Sequence, residues 1–275
     1  MIPLDIDSEN DVDRGDLKMN EHNVKIIVPV TGADEETILK EAKAIAETEA
    51  DCVEWRFDLA KELYSIDTAT KPEEVSVDEA SENLLKVLKE LAEALEGKKL
   101  LFTIRTKRQG GEFPDNPEVY ERLVSDAVKC GDIGLVDLED TVAADSFGRI
   151  LTLAEEYGVR TIASYHNFSF TPGVDEIIDK FMILRSSGAD ILKTAFMPVT
   201  PKDVAAVLYA TAKFKEEDKG QHEMITMSMG DMGKISRVSG AVFGSDYTFA
   251  TVGETSAPGQ MPMEKVLEMM EVLNG

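Results

Sequence analysis

An α/β fold, a (β/α)8 TIM barrel in a single domain, is predicted for this 275-residue chain by three observations. Eight apolar runs of strand length recur along the sequence. Amphipathic segments of helical period separate them, and eight such units in about 250 residues match the size of a barrel. No Gly-x-Gly-x-x-Gly follows the first run, which tells against the doubly wound open sheet that the same alternation would otherwise allow.

The runs are VKIIVPV (24–30), DCVEWRF (51–57), KLLFTIRT (99–106) and GLVDLE (134–139), then VRTIASYH (159–166), ADILKTA (189–195), EMITMSM (223–229) and YTFATVG (247–253). Between them, segments such as DEETILKEAKAIAETEA and SENLLKVLKELAEALEG repeat apolar residues at three and four, as a helix burying one face requires. Gly131, Gly158 and Gly188 each fall just past a helical segment, where a helix C-terminus prefers glycine. Strand and helix in alternation imply parallel pairing through crossover helices. Residues 1–23 fit no unit and are expected to be an acidic N-terminal extension, disordered or loosely docked. Residues 24–275 are expected to form the barrel and to carry the catalysis.

Composition bounds the function. At 43% hydrophobic the chain is long enough for one large core, and no stretch approaches 18 uninterrupted apolar residues. The N-terminus lacks the basic start and apolar middle of a signal peptide. Cys52 and Cys130 have no metal-ligand spacing and read as free thiols of a reducing compartment. A cytoplasmic globular protein is expected. Its 53 acidic residues against 29 basic give a formal charge of -24, which excludes nucleic acid and anionic membrane as partners because both need a basic face. The excess reads either as an ordinary soluble surface or as adaptation to salt, since about 1 M salt shortens the Debye length to roughly 3 Å.

In a barrel of this kind the active site lies at the C-terminal ends of the strands. Lys193 lies within the sixth run, where alternation puts Ile191, Lys193 and Ala195 on one face. Glu54 and Arg56 share a face at the end of the second run, Arg105 ends the third, and His166 ends the fifth. Arg237 sits in the seventh loop, and GETSAPGQMP in the eighth offers Ser256 and Gln260 on a Gly/Pro-rich segment suited to a lid. Each has a plain explanation: a solvated strand-end cation, a Glu54–Arg56 ion pair, a hydrogen-bonded structural histidine. Their convergence on one rim points to a site.

The residue types suggest the chemistry. A lysine attacks a carbonyl as the neutral amine, which desolvation and nearby cations such as Arg56, Arg105 and Arg237 favour. The protonated imine so formed acidifies the adjacent C–H, and His166 is the candidate to move that proton. Spare arginines suit a bidentate grip on a carboxylate. A small ketone carrying a carboxylate and hydroxyls is the inferred substrate. No phosphate cradle is evident, and three histidines are too few for a His-rich metal site.

The ordered set EWRFD, LLFTIRT, SYHNF, ADILKTAFMP, ITMSMG, ISRVSGAVFGS and SAPGQ resembles the type I 3-dehydroquinate dehydratases, the Schiff-base enzymes of the shikimate pathway of aromatic amino acid biosynthesis, over about residues 24 to 275. The resemblance implies that Lys193 forms the imine and that His166 is the acid–base. It further implies that Arg237 holds the carboxylate, that Glu54, Arg56 and Arg105 bind hydroxyls and order the pocket, and that Ser256 and Gln260 close over the substrate. Loss of water from 3-dehydroquinate, without metal or cofactor and in a homodimer, is the implied activity.

One position departs from the family pattern. Where relatives carry a glutamate four residues after the strand-three arginine, this chain has Gln109. A glutamine accepts a hydrogen bond from imidazole but cannot stabilise imidazolium by charge. Glu112 would substitute only if the loop bends. Two other readings stay open: a class I aldolase, which should bind phosphate, and a non-catalytic sugar-acid sensor, which would not need lysine and histidine together.

Overall fold

The computed structural model describes residues 24–64, 76–253 and 257–274; the acidic extension expected at 1–23 lies outside them. The first half of the barrel runs β1 (Lys25–Val30), α1 (Glu35–Ala46), β2 (Cys52–Arg56), α2 (Val77–Ala94), β3 (Lys99–Thr103), α3 (Pro117–Lys129), β4 (Leu135–Glu139), α4 (Ala144–Tyr157). The second runs β5 (Arg160–Asn167), α5 (Val174–Ser186), β6 (Ile191–Phe196), α6 (Pro201–Asp218), β7 (Glu223–Ser228), α7 (Lys234–Ser239), β8 (Tyr247–Phe249), α8 (Met263–Asn274). Every ladder is parallel, in the order β7-β6-β5-β4-β3-β2-β1-β8. β7 and β8 meet without a ladder: the Asp246 N–H donates to the Met224 carbonyl at 2.7 Å and the Thr226 N–H to Ser245 Oγ at 3.0 Å. The barrel is therefore nearly closed.

Local chemistry sets the helix ends. Asp34 caps α1 by accepting the Thr37 N–H at 2.9 Å, and Asn116 caps α3 ahead of Pro117, whose fixed φ suits a first turn. Ser76 accepts the Glu79 N–H, so α2 begins four residues before the periodic segment at Ser81. Gly158 and Gly188 take φ of 69° and 86°, the left-handed conformation expected of them.

The strand period of two sorts the interior into layers. Ile27, Cys52, Leu101, Leu135, Ile162, Ile191 and Ile225 form an apolar floor inside the barrel. Two residues further along, the same faces carry Glu54, Thr103, Asp137, Ser164 and Lys193, all buried. The alternate residues, such as Val53, Phe102, Val136 and Leu192, pack outward against the helices. Below the floor, Glu223 closes the N-terminal end by accepting from Lys25 Nζ at 2.6 Å and Tyr247 Oη at 3.1 Å and by pairing with Arg160. Among the described residues no helix is long and apolar enough to cross a membrane.

Candidate active site

Lys193 is buried, and partners of opposite charge lie within reach of it. Its Nζ lies 2.8 Å from Asp137 Oδ2 and 3.4 Å from Glu54 Oε1, and 4.8 Å from the centre of the Phe249 ring. The pair is one corner of a buried network. Thr103 donates to Glu54 at 2.9 Å, and Ser164 donates to Asp137 Oδ1 at 2.6 Å. Arg105 spans two carboxylates, giving Nη2 to Asp137 at 2.8 Å and Nη1 to Glu139 at 3.0 Å. Burial alone would raise the Asp137 pKa, but Arg105 and Lys193 outweigh it and hold this carboxyl well below its usual range.

Arg56 pairs with Asp58 rather than with Glu54. Its Nε and Nη2 reach the two carboxylate oxygens at 2.7 and 2.8 Å, a bidentate fork. The expectation that arginine cations would crowd around Lys193 is thus incomplete, because Asp58, Asp137 and Glu139 match them with negative charge.

His166 projects from the end of β5, its ring stacked on Phe168 with centroids 6.4 Å apart. Gln109 Oε1 meets its Nδ1 at 3.0 Å and also accepts its backbone N–H at 2.9 Å. An amide oxygen only accepts, so Nδ1 carries the proton and Nε2 keeps its lone pair. Burial, reinforced by Arg105 and Lys193 and only partly opposed by Asp137, drives the imidazole pKa well below 6.5. The ring is therefore a neutral imidazole. Glu112 plays no part here; it pairs with Lys61 at 2.8 Å on the surface. The loop reaches the histidine because Gly110 and Gly111 let it fold tightly: a Cβ on Gly110 would stand 2.3 Å from the Phe168 ring, and one on Gly111 2.0 Å from the Arg105 carbonyl.

Arg237 is the counterpart of Arg105 without its anions. Its Nη1 contacts Met227 Sδ at 3.4 Å, its Nη2 donates to the Pro258 carbonyl at 3.1 Å, and its buried Nε has no partner. Among the described residues no carboxylate pairs with it. Burial lowers its pKa to about 10, so it stays charged at neutral pH while lacking an anion.

These groups line one cavity of about 660 Å³, counting its solvent-open mouth. Of the residues predicted from sequence, Glu54, Arg56, Arg105, His166, Lys193, Arg237 and Gln260 all face it. Ser256 lies outside the described residues. The described part of the eighth loop is docked, with the Pro258 carbonyl also accepting the Gly230 N–H at 3.1 Å. Sequence reasoning missed Asp137 and Glu139, although both acids interrupt the apolar run GLVDLE on one face.

A family model described as Type I 3-dehydroquinase matches residues 26–275. A 3-dehydroquinate dehydratase of Klebsiella pneumoniae (strain 342) is 34% identical over 258 residues, 94% of this chain and 96% of the relative. One from Bacillus subtilis (strain 168) is 35% identical over 258 residues, 94% and 95% of the two chains. Among solved structures, 3-dehydroquinate dehydratase from Geobacillus kaustophilus HTA426 superposes with a TM-score of 0.82 at 32% identity, over 91% of each chain. The type I enzyme from Clostridium difficile, solved with covalently modified comenic acid, gives 0.81 at 31% identity over 91% of this chain and 92% of that one.

Proposed function

This chain belongs to the type I 3-dehydroquinase family, a family of hydro-lyases, and from that membership we propose that it removes water from 3-dehydroquinate through an imine on Lys193, with His166 moving the protons. The observation that carries the reading is a buried lysine and a half-buried, neutral histidine on adjacent strands, facing one cavity with an arginine that lacks an anion.

Lys193 gives up the proton of its ammonium and adds to the C3 ketone, and the carbinolamine takes a proton back as it loses water, which leaves a protonated imine. That cation is an electron sink, so the C2 proton becomes acidic and passes to His166 Nε2. The enamine then expels the C1 hydroxyl, which takes the same proton from His166 and departs as water. Hydrolysis of the conjugated imine frees 3-dehydroshikimate and returns the amine. Arg237 holds the substrate carboxylate by its fork, and Glu54, Arg56 and Arg105 face the ring hydroxyls and order the pocket. Ser256 and Gln260 are assigned to closure over the substrate. The covalent modification in the Clostridium difficile relative agrees with a reactive nucleophile in the family. No cofactor enters this scheme. We further assign catalysis to one domain, 24–275, preceded by an acidic extension, and propose a cytoplasmic location and a homodimer, the latter tested by light scattering in solution.

The decisive experiment is trapping. Borohydride added with 3-dehydroquinate should reduce the imine, abolish the rise in enone absorbance and leave an adduct that peptide mapping finds on Lys193. Activity surviving in Lys193→Ala, or an adduct on another lysine, would overturn the assignment.

A further inference from the structure

Behind His166 stands a second chain of contacts that leads away from the cavity. Gln109 touches the imidazole through Oε1, and its Nε2 donates to Asp140 Oδ1 at 2.8 Å. The other oxygen of Asp140 accepts from Lys180 Nζ at 2.8 Å, and that ammonium also lies 4.0 Å over the Tyr165 ring. Asp140 does not line the cavity.

A glutamine side chain has one end that accepts and one that donates, and turning it over exchanges them. Two neighbours of fixed polarity decide which way this one points. The backbone N–H of His166 can only donate, so the atom facing it must be the oxygen. The carboxylate of Asp140 can only accept, so the atom facing it must be the NH2 group. Without Asp140 the amide has half its instruction. A turned amide would present N–H to Nδ1, strip that nitrogen of its proton and move the proton to Nε2, the atom that must be a base.

We propose that Asp140 is a positioning residue of this reaction: it locks the Gln109 amide with its oxygen on His166 and so keeps the imidazole in the Nδ1–H form. The inference rests on His166 being the acid–base. The carboxylate also draws on the amide N–H and leaves the amide oxygen more negative, which supplies part of the charge that a neutral side chain lacks. It equally explains why residue 109 is an amide. A glutamate in the same pose would set one carboxylate oxygen against another at about the present 2.8 Å, a like-charge contact that is strongly unfavourable. The other charged groups facing the imidazole are Arg105 from the end of β3, Asp137 on β4, Lys193 on β6 and Arg56 on β2. None of them touches the Gln109 amide.

The test compares Gln109→Glu with and without Asp140. Asp140→Ala should lower kcat roughly 10- to 150-fold, the range of one charge-assisted hydrogen bond, with little change in KM. Its acidic pH–rate limb should move to lower pH, because imidazolium loses the polarised oxygen. Gln109→Glu alone should also lose activity. In the Asp140→Ala background the same substitution should restore kcat and carry the limb above the parent's, since a carboxylate presents oxygen whichever way it turns. The chain has three histidines, so the ¹⁵N signals of His166 can be assigned by their loss in His166→Asn. They should report pure Nδ1–H in the parent and a mixture of tautomers in Asp140→Ala. If Asp140→Ala does not fold, Asp140→Asn with and without Gln109→Glu makes the same comparison.

A loss of kcat with the limb and the tautomer unmoved and no rescue by glutamate would reduce Asp140 to a structural residue and overturn the proposal, as would unchanged behaviour of Asp140→Ala. Normal turnover in His166→Ala would instead sink the acid–base reading, while the tautomer measurement still decides whether Asp140 sets the ring.

Discussion

Lys193 on β6 and Asp137 on β4 meet across the intervening strand, Nζ to Oδ2 at 2.8 Å, with Ser164 of β5 donating to the other oxygen of the same carboxylate at 2.6 Å. Three consecutive strands thus fix one side chain before any substrate arrives. A buried ion pair of this kind adds little net stability, because desolvation offsets the attraction. Its benefit lies in placement: the amine has one position, above the apolar floor and below the histidine.

Replacing Arg237 by lysine keeps a charge and loses the planar fork. If the guanidinium grips the substrate carboxylate, steady-state kinetics should show about a 10- to 150-fold fall in kcat/KM, the equivalent of one charged hydrogen bond of about 1.5–3 kcal/mol. An unchanged efficiency would put the carboxylate elsewhere in the cavity.

His166→Ala should cut turnover by about 10²- to 10⁴-fold, as loss of a positioned acid–base does. Borohydride should still trap an adduct, because imine formation needs only the lysine. Burial, Arg105 and Lys193 keep the imidazole unprotonated below its usual 6.5, so in the parent the acidic limb of kcat/KM should fall under that pH. A limb at or above 6.5 would contradict the environment described for the ring.

At the other end of the barrel, burial alone would raise the Glu223 pKa, but Lys25 and Arg160 outweigh it and bring it from 4.5 to about 2. A carboxyl with a depressed folded pKa contributes its stability in full above the unfolded value and loses it as pH falls toward the folded one. Urea unfolding followed from pH 5 to pH 2 should therefore decline less steeply in Glu223→Gln than in the parent. Parallel declines would mean the cluster makes no pH-dependent contribution.

The charge of -24 repels an anionic substrate at long range, so binding depends on the local cationic groups rather than on steering. If the acid excess is adaptation to salt, the melting temperature should climb steeply as KCl rises into the molar range. A flat or falling curve would make it an ordinary solubility feature.

Much of the site was legible because a charge inside an apolar run is conspicuous. Lys193 in ADILKTA, Arg105 in KLLFTIRT and His166 in VRTIASYH each announce a strand that must spend burial on something polar. Asp137 and Glu139 carry the same mark, and the need of buried cations for anions on neighbouring strands would have found them. Arg56 misled for a physical reason: strand alternation sets Glu54 beside it, but the tight turn over Phe57–Leu59 brings Asp58 back to take the guanidinium. The bond from Gln109 to Asp140 was beyond reach. It joins two loops 31 residues apart, and their meeting depends on a backbone path that only Gly110 and Gly111 permit.

The short seam between β7 and β8 makes the molecule a hoop with a clasp. β2 to β6 are laddered on both edges, and they or the turns at their ends carry Glu54, Arg105, Asp137, His166 and Lys193. Arg237 and the docked residues 257–260 belong instead to the segments flanking the seam, beside a β8 only three residues long. That clasp holds through side-chain bonds, such as the Met224 N–H to Asp246 Oδ2 at 2.6 Å and Thr248 Oγ1 to the Arg237 carbonyl at 2.8 Å, rather than through a backbone ladder, so amide exchange should begin in α7 and β8 while β4 to β6 remain protected. If Lys193 and His166 react as proposed, the reacting groups ride on a stiff frame, and the slack is confined to the Arg237 side of the cavity.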